Sequence, residues 1–486
     1  MVVEMKNEDV VSDNEILSMD ASTLAKKIAN QEITSVHATN VFIAHLKKVN
    51  DKINCLVEDR FEQALEEAKK ADAEIQRNGV GNKKLLGVPI SMKECFDVAG
   101  MKTTGGLISR KDAVSDKDAD VVKALKAEGA IILGKTNTPT LCFCQETDNK
   151  LYGRTNNPWD LSKTAGGSSG GEGALIAVGG AAAGLGSDIG GSIRFPSHFN
   201  GVIGFKSGNR QVSQEGSFPY TDIPLQERML GIGPMTKSVA DVKLLYNIIA
   251  KHPAPKKDIS NFKIKILPRT NYPISEDTVK MLDTIYDQLK SDFDAKKAVP
   301  PFFDKVALIW QEIMSIDGGE NIAELAFGPN KRKDVAEYMK ELVSGKSEVH
   351  RYLSWALIGA NLFKPSKKRV EEIEAFLSKG DEQLDEYLEN RILILPVYHT
   401  SALEHGKVYS EIFSVRKTYL KYMPYIAYAN VWGLPALTIP IQTDKHNMPI
   451  AVQLISKNGN EDALFQLGEI LESQNRGYIR CMKYDS

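Results

Sequence analysis

The chain has 486 residues, 42% hydrophobic and 26% charged, which suits one large α/β domain or two smaller ones. Lys plus Arg number 61 and Asp plus Glu 63, and the net charge of −2 gives no footprint for nucleic acid or an anionic membrane. Cys55, Cys95, Cys142, Cys144 and Cys481 are odd in number and lack a paired C-x-x-C, which excludes metal-site spacing and points to reduced thiols in the cytoplasm.

Residues 1–19 are acidic, lack the apolar core of a signal peptide, and read as an N-terminal tail. From Asp20, which can cap a helix over Ala21 to Asn30, the pattern turns helical, with a second helix in Ser35 to Asn50 and a charged third over Phe61 to Arg77. The period then changes. Leu86-Gly-Val-Pro-Ile-Ser-Met-Lys93 is a short apolar run delivering a lysine at its end, as a buried strand would. Asp120 to Glu128 is helical, and Ala130 to Leu133 is a strand ending in Gly134-Lys135-Thr136. Phe262 to Leu267 and Ala451 to Ile455 are further strands. Strands alternating with helices predict an α/β fold with a large, parallel or mixed sheet covered by helices. Residues 276–390 shift to Lys/Glu-rich helical sequence with little strand signal and read as a helical cap on a single domain spanning 20–486. No run is long and apolar enough for a transmembrane helix.

The densest signal is in Gly166 to Ser192, which holds 11 of the chain's 37 glycines around four serines. Such backbone turns tightly and lets a ligand approach closely. Ser168 and Ser169 lie between two glycine pairs, Ser192 follows Gly190-Gly191, and all three are candidate nucleophiles or relays. Gly166-Gly-Ser-Ser-Gly170 matches a G-x-S-x-G elbow, but that reading needs an acid and a histidine downstream, and no histidine, His198 included, has a recognisable context. Neither a P-loop nor a dinucleotide fingerprint is present. In Gly186-Ser-Asp-Ile-Gly-Gly-Ser-Ile-Arg194 the glycines leave the N–H groups of Ile189 to Ser192 uncrowded, as an oxyanion hole requires. Asp188 and Arg194 either pin this loop through charge-assisted hydrogen bonds or form a surface ion pair. Lys93 by itself reads as an ordinary surface lysine.

Three stretches, GGSSGGEGALIA, GSDIGGSIRFPSHFNGVIGFK and GVPISMK, with Asn156-Asn-Pro-Trp159 and Gly233-Pro-Met235, resemble the amidase signature family of serine hydrolases from about residue 20 onward. Glu172, Ile189 and Phe195-Pro-Ser197 are similar to its fatty-acid amide hydrolase branch, whereas transamidosome subunits carry small residues in place of Gly-Glu-Gly. Lys206-Ser-Gly departs from the family's usual Lys-Pro-Thr at a turn.

The resemblance implies a Ser–Ser–Lys triad, with Ser192 as acylating nucleophile, Ser168 as bridging serine after a cis Gly167–Ser168 bond, and Lys93 as base. It implies an oxyanion hole at Ile189, Gly190, Gly191 and Ser192. It further implies a substrate site at Cys142 and Ser168, with Ser169, Asp188 and Arg194 behind. The expected reaction is hydrolysis of hydrophobic or fatty acyl amides, and of esters, with no cofactor and no metal. The competing readings are an amidotransferase subunit releasing ammonia and a non-catalytic binding protein. The expected partners are a small amide, a membrane surface met peripherally and a second copy of the chain. Tyr352 to Phe363, the most apolar part of the cap, precedes the basic run Lys364 to Arg369. This pairing suits an interfacial segment that admits lipid-like substrate, while the competing reading places Trp355, Leu357, Ile358 and Phe363 in ordinary core.

Overall fold

The computed structural model describes residues 11–329, 331–413 and 415–485. Its strands are β1 (Leu56–Asp59), β2 (Pro89–Lys93), β3 (Ile131–Thr136), β4 (Asn156–Asn157), β5 (Asp160–Thr164), β6 (Ala183–Asp188), β7 (Ile203–Lys206), β8 (Gly231–Thr236), β9 (Lys263–Ile266), β10 (Ala295–Lys297), β11 (Arg391–Pro396), β12 (Ala436–Thr443) and β13 (Pro449–Ile455). Eleven of them form one sheet in the order β1-β3-β2-β6-β8-β7-β12-β13-β11-β9-β10, while β4 and β5 pair separately. The sheet is mixed. β3, β2 and β6 run parallel, β6, β8, β7, β12, β13 and β11 pair antiparallel in turn, and β11, β9 and β10 are parallel again. Central strands such as β2 and β13 are buried along their whole length, as a sheet covered on both faces demands.

The predicted helices form at Ala21–Ala29, Ser35–Ile53, Phe61–Asn78 and Asp120–Ala127, and Asp20 accepts from the Thr23 N–H as the expected cap. Two expectations change. Residues 1–10 of the expected tail lie outside the described residues, but Asp13–Ser18 is a helix held by a Ser12/Glu15 capping box, with Ile16 and Leu17 buried. Within 276–390 the helices are joined by a short strand, β10, whose pairing with β9 carries the main sheet under this region. Its Ala-Lys-Lys sequence gives no alternation strong enough to announce it.

The site takes its position from two neighbouring parallel strands. Lys93 ends β2, and β6 leads into the Ile189–Ser192 loop. The helix Gly170–Ala177 is buried throughout and starts directly after Ser168 and Ser169, which pins that turn against the sheet.

Candidate active site

On a strand, residues two apart share a face. Ser91 and Lys93 therefore project together from β2 toward the Gly166–Glu172 turn. Ser91 Oγ bonds Glu172, whose other oxygen accepts from Thr136 Oγ1 at 2.8 Å. Burial pushes the Glu172 carboxyl up to about 7, against the pull of those two hydroxyls. Lys93 is 0% exposed, and its Nζ donates to Ser168 Oγ at 2.6 Å and to Ser187 Oγ at 2.9 Å. Ser187 follows the single glycine Gly186 and precedes Asp188, so spacing gave no reason to single it out.

Burial alone does not mark Lys93. Lys135 and Lys206 are equally enclosed, but Lys135 donates to Thr103 Oγ1 at 2.8 Å, and Lys206 to the carbonyls of Ser207 and Leu434 at 3.0 and 3.1 Å. Only Lys93, of these three, points at the serines.

Ser192 is 5% exposed and lines the same cavity as Ser168. Among the described residues Ser192 Oγ makes no hydrogen bond to Ser168, and the two turns are joined instead through the backbone, Ser169 N–H donating to Ser192 O at 3.0 Å. Catalytic hydrogen bonds in substrate-free enzymes are often looser than in the working complex. The Gly167–Ser168 peptide is cis.

The loop beyond β6 is held from several sides. Asp188 and Arg194 are fully buried, and Arg194 Nε and Nη2 each reach the Asp188 carboxylate at 3.0 Å. Arg194 Nη1 also donates to Ile426 O at 2.9 Å and to Gln453 Oε1 at 2.7 Å. This rules out the surface-pair alternative. Burial alone would raise the Asp188 carboxyl, but the Arg194 guanidinium outweighs it and holds the group well below the usual carboxylate range.

Asp188 Oδ1 also accepts the Gly191 N–H at 2.8 Å. The expected oxyanion hole is thereby narrowed, because one of its four donors is already spent on the carboxylate. Among the described residues the N–H groups of Ile189, Gly190 and Ser192 have no acceptor. In a planar peptide each N–H points opposite the carbonyl of the residue before it, so contacts at Ile189 O and Gly191 O orient the Gly190 and Ser192 N–H groups, and a contact at Gly190 O the spent Gly191 N–H. Trp310 Nε1 donates to Ile189 O at 2.7 Å, Gln145 Nε2 to Gly190 O at 3.0 Å, and Phe195 N to Gly191 O at 2.7 Å. Glycine is needed at both loop centres: Gly191 has φ +95°, and a Cβ on Gly190 would lie 2.5 Å from the Trp310 ring. Trp310 lies in the helix Val306–Met314, over 100 residues from the loop, so no local pattern pointed to it.

Cys142 faces the cavity, its Sγ 3.3 Å from Thr138 Oγ1, after a bend in which Leu141 and Cys142 both have positive φ, 52° and 61°. The neighbouring Cys95 thiol and then, against burial, the Lys93 charge favour its thiolate and hold it below the ordinary thiol range. His198 is excluded as a base: Ala451 N–H donates to its Nδ1 at 2.8 Å, its Nε2 meets Thr400 O at 2.9 Å, and burial lowers it to about 4.

The cavity above Ser168 and Ser192 encloses roughly 430 Å³, and its walls are mostly apolar. Phe143, Phe218, Ile232, Trp310 and Met314 line it, as do Trp355, Ile358, Leu362, Phe363 and Val415. Leu357 lines the wall but is 1% exposed and packs with Leu107, Leu141 and Leu353, whereas Leu362 is 74% exposed. The apolar segment is thus divided between core and surface.

The sequence pattern of the amidases matches residues 37–465. The chain belongs to the amidase signature family. Fatty-acid amide hydrolase 2-B of Danio rerio is 32% identical over 96% of this chain and 91% of that protein. A glutamyl-tRNA(Gln) amidotransferase subunit of Geotalea daltonii is 27% identical, over 96% and 99%. A solved fatty acid amide hydrolase superposes with a TM-score of 0.80 at 21% identity, over 98% of this chain and 88% of that one, which shows a shared fold. As an amidase signature member the chain is an amide hydrolase. Among the described residues, no helix is long and apolar enough to cross a membrane.

Proposed function

We propose that the chain is a serine amidase that cleaves hydrophobic acyl amides through an acyl-enzyme on Ser192. The observation that carries this reading is the buried 2.6 Å contact of Lys93 Nζ with Ser168 Oγ, opening into the apolar cavity that Ser192 lines. Neutral Lys93 takes the Ser168 proton as Ser168 takes that of Ser192, and Ser192 Oγ attacks the amide carbonyl. The free N–H groups of Ile189, Gly190 and Ser192 stabilise the oxyanion. The relay then runs backward, delivering the proton to the leaving amine as the C–N bond breaks. Water, deprotonated by the same relay, releases the carboxylic acid and restores Ser192. Cys142 lies beside Ser168 as part of the substrate wall. No organic cofactor or metal is assigned a step.

The fatty-acid amide hydrolase relatives support an acyl amide as substrate, and the cavity walls support a long chain. Each buried methylene contributes about 0.8 kcal/mol, roughly fourfold in binding. The amidotransferase-subunit relatives support the competing reading, which requires a partner for activity. An isolated chain that labels with a fluorophosphonate and turns over an acyl anilide unaided supports the amidase; labelling without turnover favours the amidotransferase reading.

Substrate entry through the cap belongs to the same proposal. Leu362 and Val415, 74% and 60% exposed, line the cavity beside Phe363, with exposed Lys364, Lys367, Lys368 and Lys417 nearby. Arg369 is excluded from that basic face by its pairing with Glu312 and Glu372. This surface suits a peripheral contact with anionic lipid. Because Leu357 is core, the informative variant is Leu362→Asp with Val415→Asp. The rate on long acyl amides should fall about tenfold, the loss of burial of one or two methylene-sized contacts, with short acyl anilides and Tm near wild type. Equal loss on both substrates refutes entry at this point. Association into a homodimer is a further part of the proposal, read out by sedimentation.

A further inference from the structure

Gln145 is 5% exposed, lines the cavity with Ser168, Ser192 and Gly190, and has two polar ends with different fates. Its Nε2 donates to Gly190 O at 3.0 Å, and since a carbonyl oxygen only accepts, this contact decides which end of the carboxamide is which. The other end, Oε1, is buried and has no donor among the described residues. A buried acceptor without a donor is costly, and a methionine of similar length would avoid that cost. Ser217 Oγ and Gln311 Oε1 also lack partners and lie on residues lining this cavity, but neither side chain hydrogen-bonds to the Ile189–Ser192 loop.

We propose that Gln145 Oε1 accepts the N–H of the scissile amide, so that Gln145 selects primary and secondary amides over esters. The inference rests on the amidase reading above. A substrate whose carbonyl oxygen docks on the Ile189–Ser192 loop places its amide nitrogen one bond from the carbonyl carbon, beside the loop that Gln145 braces. The N–H supplies the donor that Oε1 lacks. An ester puts an oxygen there instead, which sets two acceptors against each other and leaves Oε1 unpaired. The bond can persist as the nitrogen becomes tetrahedral, so it acts on kcat/KM.

The test compares an acyl anilide with the phenyl ester of the same acid. In Gln145→Met the anilide kcat/KM should fall about tenfold more than the ester value, the size of one net hydrogen bond. An equal fall on both substrates, or none on either, overturns the assignment and leaves Gln145 only as a brace for Gly190. Gln145→Glu retains an acceptor oxygen while losing the donor to Gly190 O. Both rates should then fall with the anilide-to-ester ratio within about threefold of wild type, and a tenfold collapse of that ratio also overturns the assignment. Should the Met variant not fold, Gln145→Leu carries the same expectation, an anilide kcat/KM falling about tenfold more than the ester value, and an equal fall on both overturns the assignment. Failure of the amidase reading shows separately, as a Ser192→Ala chain that remains active.

Discussion

Ser192→Ala loses turnover by roughly 10⁴- to 10⁶-fold and no longer forms a covalent fluorophosphonate adduct, while the chain still melts near the wild-type temperature. Ser192 is nearly buried, yet its side chain makes no hydrogen bond among the described residues, so removing Oγ leaves no partner stranded. Its structural part is played by the carbonyl, which accepts from Ser169 N–H at 3.0 Å and survives the substitution. The control is Ser169→Ala. That residue's backbone N–H does the holding, and its Oγ makes only a 3.4 Å contact to Ser187 O, so activity should stay within about tenfold. An adduct that forms without Ser192 moves the nucleophile to Ser168 and refutes the assignment.

Lys93→Ala should lower kcat by on the order of 10⁴-fold. The sign follows from the relay. Only an unprotonated amine can take the Ser168 proton, so the relay cannot start without the Lys93 side chain. Protein melting should be recorded alongside, because the deletion leaves a small enclosed space next to Ser168 and Ser187. A mild Lys93→Ala, with most of the rate lost at a histidine instead, would refute the relay. His198→Gln is the sharpest comparison, since that ring is occupied at both nitrogens by backbone partners and should cost far less of the rate than Lys93→Ala.

The helices and strands were legible wherever period and punctuation agreed. Asp20 caps its helix as expected, and the glycine after Asn78 terminates the third helix. The short strand Ala295–Lys297 was not legible, because it owes its pairing to β9 and to no pattern of its own. The dense glycines around Ser168 and Ser192 announced a site, and the family resemblance supplied the roles that spacing left open.

By itself the sequence determined the alternation of strand and helix, the serine-rich turn and the loop that follows β6, because those depend on neighbours within a few residues. The tertiary structure decided which charged and polar groups face them. Lys93, Lys135 and Lys206 are all buried, and their different partners follow from how β2, β3 and β7 sit in one sheet. Trp310 and Gln145 reach the Ile189–Ser192 loop from 121 and 45 residues away, and Asp188 takes the Gly191 N–H that glycine spacing had left free. Hydrogen bonds act over about 3 Å and are indifferent to distance along the chain, so only the folded arrangement shows which donors are spent and which remain for a substrate.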